Sequence, residues 1–294
     1  MIAYLVNIVV LFSINAILAM TLNFIMGYAG IFSLAHAIFF GVGAYTAAFI
    51  AINFTDSLLV CMAGAMALSG LLSLALALPA LRVRGEYFVA ASLGLQVIGV
   101  TVFSEWHSVT GGLAGMVGIP PPRLFGFTFV DPLHFVALAL ICLLAVLGVI
   151  ALLVRGSFGR SLMAIRDSES ATQAYGKHVS AVKTLSVVVA ASLAAIGGTL
   201  YAFYMSFVNV EGFMLEASIL LMAMVIIGGT GTLMGPIVGA ALLMALPAAL
   251  TYFPFLPAEE LGSAQQIIYG AAMVLLMMFR PGGLVSTRVK ERRA

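Results

Sequence analysis

Long apolar runs, separated by short polar breaks, are the feature that most limits how this chain can fold. Nine runs can be marked, and most approach the ~20 residues that a helix needs to span a bilayer. They cover residues 2–26, 31–54, 57–80, 87–104, 131–154, 184–207, 215–228, 236–252 and 264–280. With a mean hydropathy of +1.18, the 294 residues predict an all-α transmembrane protein whose surface is solvated by lipid.

We predict a polytopic bundle of about nine spanning helices, with a range of eight to ten. The runs that begin at 87 and 215 are short, and glycines in and just before the second run favour its division into two half-helices. These glycines are Gly27, Gly30, Gly41 and Gly43. The whole chain, 1–294, is interpreted as a single membrane domain without a soluble part.

Basic residues orient the chain, because Lys and Arg near the ends of spans are retained on the cytoplasmic side. With the N-terminus outside and the C-terminus inside, all of the 13 Lys and Arg residues except Arg123 fall inside. They are Arg82, Arg84, the five of the loop 155–183, Arg280, and the four of the tail 281–294. Met1 is followed by an apolar run with no basic segment, so we expect the first segment to be a retained span.

The loop 155–183 is the only sizeable polar segment between the apolar runs. Its pattern predicts two short helices, the first opening near Ser157 and burying Leu162 and Ile165. Asp167 or Ser168 would cap the second, and Gly176 would end it in the left-handed conformation. We interpret the loop as a protein contact; the alternative is a solvated hairpin whose basic residues only set the topology.

Several chemistries are disfavoured by what the chain lacks. The glycines of Gly228–Gly235 come without the lysine of a phosphate-binding loop, so we expect no ATP hydrolysis, and no enzyme activity, from this chain alone. Cys61 and Cys142 lie inside apolar runs with no metal-binding spacing. His36 is the one titratable group placed well within a span, which disfavours a proton-driven carrier and an intramembrane enzyme.

Six blocks, taken in order, resemble one family: the permease subunits of ABC importers for branched-chain amino acids, of the LivM type. The blocks cover nearly the whole chain. They are NFIMGYAGIFSLAHAIFFGVGAY (23–45), LPALRVRGEYFVAASLGLQVI (78–98), TGGLAGMVGI (110–119), GRSLMAIRDSESATQAYGKHVSAVK (159–183), GGTGTLMGPIVGAAL (228–242) and IIYGAAMVLLMMFRPGGL (267–284).

The resemblance implies a multi-pass permease of a bacterial or archaeal plasma (inner) membrane. Its expected partners are a second homologous permease subunit, two cytoplasmic ATPase subunits that use ATP and Mg, and an extracytoplasmic substrate-binding protein. No cofactor in this chain and no nucleic acid are implied. The loop 155–183 becomes the segment that couples to the ATPase. The residues assigned to coupling are Arg160, Arg166, Glu169, Ala171, Ala174 and Gly176.

Two further stretches are candidate parts of the transport route. Asn23, Ser33, His36 and Tyr45 offer hydrogen bonds within a glycine-rich stretch, where unwound backbone is tolerated only if it is buried or lines a cavity. The alternative is helix packing by small residues. A second candidate is a periplasmic mouth at Thr110, Gly111 and Gly112, for which a plain turn is the alternative.

Other functions stay open at this stage. The same importer class is expected to carry urea, short amides or other small polar solutes as well as hydrophobic amino acids. A channel or facilitator that works without ATP is a second alternative. The substrate and the heterodimeric nature of the permease pair are therefore expectations from the resemblance.

Overall fold

The structure, a computed structural model, describes residues 2–80, 86–124, 126–250 and 282–285, together with residues 267, 268, 270, 271, 274 and 278. Helices dominate these ranges. They are α1 (Ile2–Asn23), α2 (His36–Asn53), α3 (Leu58–Ala80), α4 (Glu86–Glu105), α5 (His107–Thr110), α6 (Pro132–Arg155), α7 (Ser157–Asp167), α8 (Glu169–Ala174), α9 (Val179–Met205), α10 (Leu215–Gly228) and α11 (Gly235–Leu250). The all-α prediction is confirmed.

Five helices in the described ranges are long and apolar enough to cross a membrane by themselves: Leu5–Tyr28, His36–Asn53, Tyr87–Glu105, Pro132–Arg155 and Val179–Met205. Shorter apolar helical stretches occupy Leu58–Leu74, Leu215–Gly228 and Gly235–Ala245. The six isolated residues described between 267 and 278 are helical and lie in the ninth predicted run. The count of nine spans remains a prediction. The basic residues 82, 84 and 280 and the tail beyond residue 285 lie outside the described residues.

The connection between α1 and α2 is broken at one place. After Asn23 the chain makes a π-helical turn over Phe24–Tyr28, and residues 29–35 are not helical. Gly30 has a φ of +69° there, a backbone conformation that costs glycine little. The chain is thus interrupted between the first and second runs, but the predicted division of the second run into two half-helices is wrong, because α2 is continuous.

The prediction of a break is wrong for Gly41 and Gly43, which lie inside the continuous helix α2. Their role is packing, because a Cβ added at Gly43 would lie 2.5 Å from Cα of Ala195 on α9. A Cβ at Gly41 would meet the rings of Phe103 and Phe213. Small residues thus bring neighbouring helices close together, as is common between membrane helices.

Helix α9 is the centre of the bundle and packs against α1, α2 and α3, while α10 and α11 pack against each other and against α1. In the most apolar 18-residue window of each helix, 72% of α2 is buried but only 17% of α4. Helix α2 is therefore interior, and α4 lies at the edge of this chain with most of its surface open to lipid or to another subunit.

Loops that the predicted topology places on the same side of the membrane contact one another. On one side, Arg123 forms an ion pair with Asp56 across 2.9 Å. On the same side, the short strand β1 (Met116–Val117) pairs antiparallel with β4 (Phe207–Val208), and β2 (Arg123–Leu124) pairs with β3 (Phe127–Thr128). On the other side, the loop 155–183 contacts the break after α1. This grouping agrees with alternating spans; which side is cytoplasmic remains a prediction.

Candidate functional site

The polar segment between α6 and α9 folds into a helical hairpin, which we call the cytoplasmic hairpin (155–183) after the side on which the predicted topology places it. Helix α7 buries Leu162 and Ile165 and leaves its opposite face open. Ser168 caps α8, since its hydroxyl accepts a hydrogen bond from the backbone N–H of Ala171 across 3.3 Å. Gly176 follows α8 with a φ of +77°. The predicted two-helix structure, including the Ser168 cap and the left-handed glycine, is confirmed.

An ion pair joins the second half of the hairpin to the start of α9. Lys183 Nζ lies 2.6 Å from Glu169 Oε2, with side-chain exposures of 18% and 49%. Glu169 also lies in the first turn of α8, where its negative charge is favourable toward the helix dipole. Of the residues assigned to coupling, Glu169 therefore contacts this chain itself.

An open groove of about 380 Å³ lies on the exposed side of the hairpin, between α7 and α8. It is lined by Ser157, Arg160, Ser161, Ala164, Thr172, Tyr175 and Lys177. Two of these side chains are cationic and none is acidic. Ala171, Ala174 and Gly176 are also exposed. Among the described residues, this face of the hairpin is open to a partner.

Arg166 points the other way, toward the membrane helices. Its Nη1 donates a hydrogen bond of 2.6 Å to the carbonyl oxygen of Gly27, in the π-helical turn that ends α1. All six residues assigned to coupling are exposed. Arg166 and Glu169 also bind parts of the same chain, the first through Gly27 and the second through Lys183.

Asn23, a candidate for the transport route, is buried at the end of α1 and binds the loop between α10 and α11. Its Nδ2 donates to the carbonyl of Thr232 across 2.8 Å, and its Oδ1 accepts from the N–H of Gly231 across 2.9 Å. Gly27 lies against Gly231 so closely that a Cβ on Gly27 would be 2.9 Å from Cα of Gly231. Asn23 therefore attaches the end of α1 to the loop between α10 and α11.

The start of α2 is capped by side chains from distant helices. Ser218 on α10 accepts a hydrogen bond from the N–H of Ala37, and Ser92 on α4 accepts one from the N–H of Leu34, both across 3.0 Å. The first N–H groups of a helix lack partners within it. These two serines were missed from the sequence, because both lie in apolar runs where nothing local indicates their partner.

The remaining candidates, Ser33 just before α2 and His36 and Tyr45 within it, are buried but do not form one cluster. Ser33 accepts a weak hydrogen bond of 3.3 Å from the N–H of Ala35, and His36 lies 2.9 Å from Thr21 on α1. Tyr45 lies more than two turns further along α2, where its ring contacts Phe103. Asn23 lies at the end of α1, and His36 binds Thr21 in the same part of that helix. Tyr45 is not near them.

The hydroxyl of Tyr45 on α2 and Oε1 of Gln96 on α4 are buried, and neither has a hydrogen-bond partner among the described residues. Gln96 donates through Nε2 to the carbonyl of Phe213 across 2.8 Å, and Tyr45 also contacts the Phe213 ring. Gln96 was not a sequence candidate, although an amide within an apolar run is a signal for it.

The predicted mouth residues form a tight turn after α5. Thr110 is buried and donates to the carbonyl of Phe103 across 2.7 Å, while Gly111 and Gly112 have positive φ angles of 74° and 62°. The turn packs close to the segment around β4, since a Cβ on the nearby Gly115 would lie 3.1 Å from Cα of Asn209.

Metal chemistry has no apparent place in the ranges that the structure describes. No group of three or more His, Cys, Asp or Glu side chains there is arranged to hold an ion. The described cysteines, Cys61 and Cys142, are both free. The polar groups of these ranges instead tie helix ends together.

A helical bundle with several apolar spans and one cationic hairpin defines a polytopic membrane protein. The family model described as the branched-chain amino acid transport system permease component matches residues 4–277. The chain belongs to this family. It is therefore a permease subunit of a transport system and a multi-pass protein of the plasma (inner) membrane.

Curated relatives agree with this assignment. The high-affinity branched-chain amino acid transport system permease proteins LivM of Salmonella typhimurium and Escherichia coli are each 30% identical over 95% of this chain and 69% of their own length. The autoinducer 2 import system permease protein LsrC of Klebsiella pneumoniae is 31% identical over 64% of this chain and 52% of its own length. No solved structure matches the chain.

Proposed function

We propose that this chain forms half of the translocation pathway for branched-chain, hydrophobic amino acids in an ATP-driven importer. The observation that carries the proposal is the similarity to two branched-chain amino acid permeases over 95% of the chain. Residues 1–294 act as a single permease domain with the cytoplasmic hairpin (155–183) and a basic cytoplasmic tail (281–294).

The proposed partners follow from this role. They are a second homologous permease subunit, two cytoplasmic ATPase subunits and an extracytoplasmic substrate-binding protein. ATP and Mg are used by the ATPase subunits, because this chain carries glycines without the phosphate-binding lysine. The chain itself needs no cofactor.

The exposed side of the cytoplasmic hairpin is the proposed ATPase contact. Its groove combines Arg160 and Lys177 with the ring of Tyr175, which is 89% exposed. Arg and Tyr are enriched in protein interfaces, and cations favour a partner surface that carries carboxylates. We therefore expect acidic side chains of the ATPase to lie in this groove.

The buried break between α1 and α2 is the proposed site of movement along the transport route. Asn23, Ser33, His36 and Tyr45 are buried, so any contact with a solute requires the surrounding helices to separate. Thr110, Gly111 and Gly112 support this role from the outer side, where they fix the loop that would receive the substrate-binding protein.

A second candidate substrate class is a small polar solute such as urea or a short amide. The similarity to LsrC, named for autoinducer 2 import, supports only that relatives of this chain serve more than one import system. An ATP-independent facilitator is the third possibility, and it predicts solute flux without any ATPase subunit.

Reconstitution distinguishes the three functions. The purified complex of this chain with its permease, ATPase and binding-protein partners is placed in proteoliposomes, and uptake of labelled leucine and labelled urea is measured with ATP supplied to the ATPase side. Leucine uptake that requires ATP supports the proposal. ATP-dependent uptake of urea alone supports the second candidate, and flux through this chain and its permease partner without ATPase subunits supports the facilitator.

A further inference from the structure

Arg166 contacts two loops of the membrane domain from its position near the end of α7. Its Nη1 donates to the carbonyl of Gly27 across 2.6 Å. A Cβ built on Gly231 would lie 3.2 Å from the same nitrogen, and one on Gly30 would lie 2.9 Å from Cγ of Arg166. Three glycines, Gly27, Gly30 and Gly231, therefore form a surface without side chains that receives the arginine; we call it the glycine surface.

The chemistry at Gly27 explains why a cation is held there. The last carbonyls of a helix lack partners within it and carry the negative end of the helix dipole. Helix α1 has no basic residue in its own last turn. Arg166 supplies the missing positive charge from another part of the chain, in a short charge-assisted hydrogen bond.

The glycine surface joins several loops of the same side. Gly27 and Gly30 lie at the break between α1 and α2, and Gly231 lies between α10 and α11, where Asn23 binds it. Residue 284 is attached to the end of α10, next to this loop, since its N–H donates to the carbonyl of Ile227 across 3.0 Å. A displacement of Arg166 thus acts on two helix connections at once.

Within the described residues, the face that carries Arg160 makes no such contact with the membrane helices. Arg160 donates to the carbonyl of Arg155, at the end of α6, across 3.3 Å. It lines the open groove instead. The hairpin therefore has an outer face that contains Arg160 and an inner face that contains Arg166.

We propose that Arg166 transmits movement of the cytoplasmic hairpin to the α1–α2 break and to the α10–α11 loop, as a positioning residue and not as an ATPase contact. This rests on the proposed function, in which the outer face binds the ATPase. Arg166 converts movement of the hairpin into opening of the helices, because its stem and its guanidinium hold both loops in one position relative to α7.

The test compares Arg166→Gln with Arg160→Gln in the purified importer complex reconstituted in proteoliposomes. Three quantities are measured: bound ATPase subunits, ATP hydrolysis, and solute uptake per ATP hydrolysed. For Arg166→Gln we expect bound ATPase and hydrolysis close to native, with uptake per ATP reduced about tenfold, within the 5–150-fold range typical of coupling between sites. For Arg160→Gln, on the groove proposed to bind the ATPase, we expect bound ATPase subunits and ATP hydrolysis to fall, which is the pattern of a docking contact.

Arg166→Lys provides a second variant that keeps the charge. One ammonium group can still bind the Gly27 carbonyl, but it lacks the planar guanidinium that lies against Gly231. Uptake per ATP should then fall to a value between native and Arg166→Gln. If Arg166→Gln does not assemble, the lysine variant decides: a lowered ratio supports the proposal and a native ratio overturns it.

Other outcomes also overturn the proposal. If Arg166 had only a structural role, Arg166→Gln would lower the amount of complex, ATP hydrolysis and solute uptake together, and uptake per ATP hydrolysed would not change. Loss of bound ATPase subunits from Arg166→Gln would place the residue on the docking face. Failure of the proposed function is separate, since the native complex would then show no ATP-dependent uptake before any variant is compared.

Discussion

His36 on α2 and Thr21 on α1 are joined by a buried hydrogen bond of 2.9 Å between Nε2 and Oγ1. The Thr21 hydroxyl donates its own hydrogen to the carbonyl of Leu18 across 2.9 Å. With that hydrogen on Leu18, the Thr21 oxygen accepts from Nε2–H of His36; the direction of this bond follows the tautomer of the imidazole. Nδ1 of His36 is buried without a partner in the described ranges. The pair ties the two helices together across the break that separates them.

This geometry predicts how replacements of His36 behave. His36→Gln retains an N–H donor that can reach Thr21, so we expect transport to fall modestly. His36→Leu removes the hydrogen bond to the Thr21 hydroxyl, which keeps its bond to Leu18, so the loss is about 0.5–1.5 kcal/mol and should lower assembly or uptake further. The measurement is uptake by the reconstituted complex with ATP supplied to the ATPase side, with and without an uncoupler. An uncoupler that stops native uptake while ATP remains, together with complete loss of that uptake in His36→Gln, would contradict an ATP-driven mechanism.

Ser218 is predicted to stabilise the start of α2. Ser218→Ala removes the acceptor for the Ala37 N–H and leaves a buried donor unpaired, which should cost about 1–3 kcal/mol of folding free energy. Thermal unfolding of the purified protein in detergent measures the loss. Ser73→Ala is the matched control, because Ser73 is equally buried and, within the described residues, its hydroxyl binds the carbonyl of Gly70 in its own helix. Equal losses in the two variants would remove the capping role.

The parts of the structure that the sequence predicted well depend on neighbours along the chain. In the cytoplasmic hairpin, Ser168 as a cap and Gly176 as a left-handed end are local signals that act within a few residues. The break near Gly30 has the same origin. Gly41 and Gly43 are glycines too, but they pack against α4 and α9. The flexibility of glycine therefore predicted a helix break there that the structure does not have.

The contacts of the candidate site depend on residues far apart in the sequence. Arg166 meets Gly27 across 139 positions, Asn23 meets Gly231 across 208, and Ser218 meets Ala37 across 181. A pattern of apolar runs predicts that helices exist but not which faces meet. For this reason Arg166 was grouped with the ATPase contacts, whereas its hydrogen bond lies within the chain.

The membrane orientation can be tested directly. Single cysteines replace Arg160 and Arg123 in a chain whose Cys61 and Cys142 have been changed to alanine. In intact cells we expect an impermeant thiol reagent to modify position 123 and not position 160, because basic loops are retained inside. Position 160 should react only after the cells are opened. Rapid modification at 160 in sealed cells, with none at 123, would reverse the orientation.

Gly176 is predicted to be required for its backbone conformation and not for space. Its φ is +77°, and a Cβ added there would meet nothing within 4 Å. Gly176→Val should therefore strain the end of α8 by roughly 1–2 kcal/mol and uncouple transport while the protein still reaches the membrane. Gly176→Asn should retain more activity, since asparagine tolerates this region. Uptake and ATP hydrolysis are measured for both variants; native coupling in the valine variant would remove the requirement.

Glu169 and Lys183 are predicted to act as a pair that holds α8 against α9. Glu169→Lys places two cations where the structure has a 2.6 Å ion pair, and we expect uptake per ATP to fall while the protein still reaches the membrane. A partly exposed pair contributes only about 0–1 kcal/mol to stability, so the effect should be on coupling more than on folding. The reversed pair, Glu169→Lys with Lys183→Glu, restores the attraction and should recover most of the uptake. If the reversed pair is as defective as Glu169→Lys alone, the ion pair is not what matters, and Glu169 acts through a contact outside this chain.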